Sequence, residues 1–128
     1  MTEKDPSNKK IQRILLAEDD ESMRVFLEKA LKKAGYEVIS FGTGIEAFER
    51  IKEEPFTLLL TDIVMPEMDG IELARKAAEV DPDLKIMFIT GFSAVALNAE
   101  ESTPEAKVLS KPFHLKDLVD EVEQMLAA

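Results

Sequence analysis

Five short, almost wholly apolar runs, separated by stretches of helical period, constrain this chain more than any other feature. The runs are Ile14-Leu15-Leu16-Ala17, Val38-Ile39-Ser40-Phe41, Leu58-Leu59-Leu60, Ile86-Met87-Phe88-Ile89 and Val108-Leu109. Each is too short for a helix, and most lack the alternation of a half-solvated sheet. They read as parallel strands covered on both faces. Between them lie amphipathic segments. Met23, Leu27, Ala30, Leu31 and Ala34 share one helical face, as do Ile71, Ala74, Ala77 and Ala78. The clearest such stripe is Leu115, Leu118, Val119, Val122, Met125 and Leu126. Gly35 is placed to stop the first helix, Thr43 to cap the second, and Asp20 to open the first as its first helical residue. Strand and helix in alternation, joined by right-handed crossovers, predict an α/β fold: a doubly wound (βα)5 parallel five-stranded sheet. The fourth helix is the weakest of the five, because residues 93–107 hold Asn98, Ser102, Thr103 and Pro104 after a single apolar turn.

A chain of 128 residues with one such alternation holds one core. Residues 1–10 are polar, contain Pro6 and lack both periodicity and an apolar signal region. They are expected as a disordered leader ahead of a single domain at 11–128. No apolar run nears the roughly 18 residues of a membrane span, and there is no cysteine. The expectation is a cytoplasmic monomer. Sixteen basic residues against 26 acidic ones give a net charge of -10, which repels nucleic acid and anionic lipid and disfavours both as partners.

In an open α/β sheet of order 2-1-3-4-5, ligands bind beyond the carboxyl ends of the strands, where strands 1 and 3 diverge. The polar residues at those ends belong together: Glu18-Asp19-Asp20, Thr61-Asp62, Thr90-Gly91 and Ser110-Lys111-Pro112. Carboxylates gathered in one crevice repel each other unless a cation neutralises them, and hard oxygen donors with open positions suit Mg²⁺. Glu18, Asp19 and Asp62 are the natural set. Asp62 stands at a strand tip before the turn-rich Met65-Pro66-Glu67-Met68-Asp69-Gly70, where its carboxylate can attack phosphorus. Lys111 would then neutralise charge on the phosphoryl group, and Thr90 would offer a hydroxyl to one of its oxygens.

These motifs resemble, in order and spacing, the receiver domains of two-component response regulators over residues 11–128: Glu18-Asp19, TDIVMPEMDG around Asp62, Thr90, and Lys111-Pro112. The resemblance implies a flavodoxin-like sheet in the order 2-1-3-4-5, with Asp62 as phosphoacceptor. It further implies Asp19 as a direct Mg²⁺ ligand, Glu18 as an acidic residue acting through water, and Val64 as a ligand through its carbonyl. Thr90 and Lys111 would contact the phosphoryl group, Lys111-Pro112 would be cis, and the phosphodonor would be a histidine kinase or histidine phosphotransferase. A narrower likeness, through LLAEDDESMR, LLLTDIVMPEMDGIELARKA, FITGF and VLSKP, is to single-domain regulators of α-proteobacterial cell-cycle proteolysis. In those regulators the unphosphorylated form promotes delivery of substrates to ClpX of the ClpXP protease. The end Leu126-Ala127-Ala128 resembles the small apolar tails that such unfoldases grip.

Two departures bear on switching and turnover. Many receivers carry an aromatic residue where this chain has Val108, so coupling from Thr90 to an aromatic partner is not expected here. Magnesium phosphohydrolases with an aspartyl intermediate place a second aspartate two residues after the nucleophile, and that position is Val64. The expectation is a phosphorylated interaction module rather than a turnover enzyme, with a relay shuttle or phosphate sink as the alternative. Val64 and Phe92, both apolar, are expected to hinder water at the phosphoryl group. His114 is expected as an exposed residue at a helix entrance, not as a phosphotransfer histidine.

Overall fold

Along a β-strand successive side chains leave on opposite faces, so one apolar run can feed two cores. In β1 (Arg13–Ala17), Leu15 and Ala17 enter one cluster and Ile14 and Leu16 the other. β3 (Leu58–Asp62) divides likewise, Leu59 against Leu58 and Leu60, and β4 (Lys85–Thr90) sends Ile86 and Phe88 one way and Met87 and Ile89 the other. β2 (Glu37–Phe41) and β5 (Lys107–Ser110) are the edges of the sheet. All neighbours are parallel, in the order β2-β1-β3-β4-β5. The predicted fold is the one observed.

This computed structural model describes residues 11–91, 99–101, 103 and 105–127. The expected leader at 1–10, Phe92 and most of the expected fourth helix lie outside them. Within that segment, residues 99–101 are helical, and the Thr103 amide donates to Ala99 O at 2.9 Å.

The helices cover the two faces in pairs. α1 (Glu21–Lys33) and α4 (Leu115–Ala127) bury Leu27, Leu31, Leu118, Val122 and Leu126 on one side. α2 (Gly44–Glu53) and α3 (Gly70–Val80) bury Ala47, Ile51, Leu73, Ala74 and Ala77 on the other. Local signals set their ends. Thr43 Oγ1 accepts from Glu46 N–H at 3.1 Å, and Asp69 Oδ1 from Glu72 N–H at 2.8 Å. Gly35 follows the last turn of α1 with φ of 107°, a left-handed conformation that favours glycine. Asp20 is a correction by one residue: it is the N-cap itself, its Oδ1 accepting from Met23 N–H at 3.0 Å. The far end of α4 is tied down from outside the helix. Lys85 Nζ donates to Met125 O at 2.5 Å and Gln12 Nε2 to Leu126 O at 3.4 Å. Leu126 is buried, and Ala128 lies outside the described residues.

Candidate functional site

Parallel strands end on one side of the sheet, so each strand-end residue arrives there without further design. Glu18 and Asp19 follow β1, Asp62 closes β3, Thr90 closes β4 and Lys111 follows β5. β1 and β3 are neighbours, and carboxylate oxygens of Glu18, Asp19 and Asp62 lie within 4.8 Å of one another. Lys111 Nζ reaches across from β5 to within 3.2 Å of Asp62 Oδ2 and 3.7 Å of Glu18 Oε1. Thr90 is buried; the residue before it, Ile89, pairs with Asp62, and its own carbonyl accepts from Lys111 N–H at 2.7 Å. The Lys111-Pro112 bond is cis.

Burial divides the carboxylates. Asp19 is exposed, whereas Glu18 is 1% exposed and Asp62 7%. Glu18 Oε2 accepts from Asp20 N–H at 3.1 Å, but the buried Oε1 has no hydrogen-bond partner among the described residues. Burial, reinforced by the charge of Asp62, pushes the Glu18 carboxyl up to about 7, while the Asp20 amide and Lys111 oppose the rise. Burial alone would lower the Lys111 ammonium, but Asp62 and Glu18 outweigh it and raise the pKa. When all four groups are ionised, three carboxylates against one ammonium leave two negative charges in the crevice. An orphaned buried oxygen among hard oxygen donors, with a charge deficit of two, fits a hard divalent cation.

The same burial has a consequence for metal-free protein. The folded state retains the Glu18 proton between its ordinary value of 4.5 and about 7, so this favourable term is complete below 4.5 and is lost as pH rises through 7. Glu18→Gln, neutral throughout, is expected to raise folding stability at pH 8 in EDTA by on the order of 1 kcal/mol. The gain should vanish at pH 4; equal urea midpoints for the two proteins at pH 8 would contradict it.

The loop after β3 is clamped to the strand end. Val64 N–H donates to Asp62 Oδ1 at 3.3 Å, and Gly70 N–H to Ile63 O at 2.8 Å. Glu67 takes a positive φ of 70° at the turn. α3 begins so near β3 that a Cβ on Gly70 would stand 2.1 Å from Asp62 O, so only glycine fits. The side chain of Val64 is half exposed, and Val108, paired in register with Phe88, packs half-buried against the core. His114 is exposed, and its carbonyl accepts from Leu118 N–H at 3.2 Å at the entrance of α4. One feature had only a faint signal in the sequence. A hollow of about 740 Å³ opens beside Lys111, lined by Met23, Phe26, Pro112, Phe113, His114 and Leu115. Phe26 is 55% exposed, an aromatic residue lying off the apolar stripe of α1.

Comparison with known proteins agrees with this geometry. The chain is 71% identical over 119 residues to the response regulator receiver protein CpdR of Brucella abortus, covering 92% of this chain and 99% of that protein. A response regulator receiver protein from Sinorhizobium medicae superposes with a TM-score of 0.85 at 33% identity, covering 93% of this chain and 97% of that one. The response regulator TrrA of Thermotoga maritima, solved in complex with Mg(2+)-BeF, gives a TM-score of 0.81 at 28% identity over 91% of this chain and all of that one. The family model described as the response regulator receiver domain matches residues 14–123, and the chain belongs to that family.

Proposed function

We propose that the protein is a cytoplasmic response regulator, phosphorylated on Asp62 with Mg²⁺, whose unphosphorylated surface delivers substrates to the ClpX component of ClpXP. The observation that carries the phosphorylation reading is the meeting of Asp62, Glu18, Asp19 and Lys111 in one crevice. Asp19, Asp62 and the Val64 carbonyl are the groups assigned to hold the cation directly, with Glu18 acting through water. Bound there, Mg²⁺ supplies positive charge beside the phosphoryl oxygens.

The chain's own groups do the rest. An Asp62 carboxylate oxygen forms the O–P bond as the P–N bond to a donor imidazole breaks, and the electron pair leaves on the imidazole nitrogen. Lys111, already 3.2 Å from Asp62 Oδ2, exchanges that partner for a phosphoryl oxygen. Thr90, at the adjacent strand end, offers its hydroxyl to another. The donor is a histidine kinase or histidine phosphotransferase. The apolar hollow between Phe26 and Phe113 adjoins Lys111, and it gives such a donor a surface contiguous with the reacting groups. With valine at position 64, where hydrolytic relatives of this chemistry need a general acid, the protein acts as a receiver rather than as a turnover enzyme. The reading takes 11–128 as the receiver domain, behind a leader at 1–10.

The protease reading rests on the 71% identity to CpdR. Purified ClpX N-terminal domain is expected to capture the unmodified protein and Asp62→Ala, and to lose the protein when beryllofluoride and Mg²⁺ mimic the phosphoryl group. Capture in no state would remove the ClpX assignment and favour a relay shuttle.

A further inference from the structure

Glu18 and Asp19 sit in the short loop between β1 and α1, and main-chain contacts fix that loop. The Glu18 N–H donates to Phe41 O at 3.1 Å. Its carbonyl accepts from Arg24 Nη1 at 2.8 Å, while the Asp20 carbonyl accepts the backbone N–H of Arg24 at 2.9 Å. The second bond is the ordinary first main-chain bond of α1 from its N-cap, so the side chain's own hold on the loop is the bond to Glu18 O, directly before Asp19. The Arg24 side chain is half-buried, its charge helps to lower the Glu28 carboxyl one helical turn on, and the hydrogen bond its guanidinium makes to the described residues is the one to Glu18 O. Its place is kept by Gly42, the residue after Phe41. A Cβ on Gly42 would meet Arg24 Nη1 at 2.9 Å, Cζ at 3.6 Å and Nη2 at 4.0 Å, and these three nearest atoms all belong to Arg24.

We propose that Arg24 is a positioning residue for the cation site: housed in the space Gly42 leaves, its guanidinium sets the β1–α1 loop so that Glu18 and Asp19 present oxygens toward Asp62. This rests on the reading of the crevice as a divalent-cation site. A charged donor on a carbonyl makes a strong hydrogen bond, and groups that orient metal ligands from behind commonly change metal affinity by 10–100-fold when removed. Charge and positioning predict opposite signs here. Deleting a nearby positive charge should tighten binding of a cation, whereas releasing the loop should weaken it.

Calorimetric Mg²⁺ titration at fixed ionic strength separates the two, with thermal unfolding in EDTA confirming that each variant is folded at the titration temperature. Arg24→Ala is expected to weaken Mg²⁺ binding by about tenfold, and Arg24→Lys, which keeps one donor, to recover part of the loss. Gly42→Ala should weaken it as well, by displacing the guanidinium. The double variant should bind no worse than Arg24→Ala alone, because the added methyl then meets nothing. Unchanged or tighter binding by Arg24→Ala, or additive losses in the double variant, would overturn the proposal. Wild-type protein that takes up no Mg²⁺ would remove the cation reading beneath it, and the proposal with it.

Discussion

Asp62→Asn protein incubated with acetyl phosphate and Mg²⁺ should take up no phosphoryl group, while wild-type protein gains one per chain by intact mass. The loss is expected to be complete because the other carboxylates are placed differently. Glu18 is buried with one oxygen engaged by the Asp20 amide, and Asp19 faces solvent, so neither stands at the strand tip within hydrogen-bonding distance of Lys111. Asparagine keeps an acceptor for Val64 N–H and removes one charge from a crowded acidic cluster, so the variant should fold at least as stably as wild type. Residual phosphorylation mapping to Asp19 or Glu18 would show that position along the strand does not select the nucleophile.

Gly70→Ala should be among the most destabilising single-methyl additions available to the described chain. The new Cβ would meet Asp62 O at 2.1 Å, Ile63 Cα at 2.9 Å and Asp62 C at 3.0 Å, all main-chain atoms that cannot rotate aside. Either α3 shifts from the sheet or the end of β3 bends, at a cost of about 3 kcal/mol or more, seen as a fall in melting temperature of about 10 °C. Both movements act on Asp62, so phosphorylation should slow in the same variant. Gly91→Ala is the natural control, because among the described residues its Cβ would meet only Lys111 Cβ at an ordinary 3.9 Å. Equal melting temperatures for the two variants would mean that the approach of α3 to Asp62 is not a fixed feature of the fold.

The strands were legible because a doubly covered strand has no polar face to confuse the pattern, as Leu58-Leu59-Leu60 illustrates. Their first residues were not. Arg13 and Glu37 pair with each other at the start of β1 and β2, and Lys85 and Lys107 open β4 and β5, yet hydrophobicity does not register polar side chains at strand entrances. Asp20 read one residue late because a carboxylate favours both the cap and the first turn of a helix, and only the bond to Met23 N–H separates them. The crevice was visible as a set of strand-end residues once the sheet order was assumed. The roles of Arg24 and Phe26 were not, since a helical side chain pointing off the buried face carries no mark of what it will meet in space.

The bonds from Lys85 and Gln12 to the last carbonyls of α4 have a practical consequence. Lys85 opens β4 and Gln12 precedes β1, so both described ends of the chain are held at the pole of the sheet opposite the acidic crevice. A fluorophore, purification handle or fusion partner joined directly before Ile11 or after Ala127 departs from that opposite pole. Protein tethered at either of those two points should therefore turn Asp62 and the Phe26 hollow away from the surface.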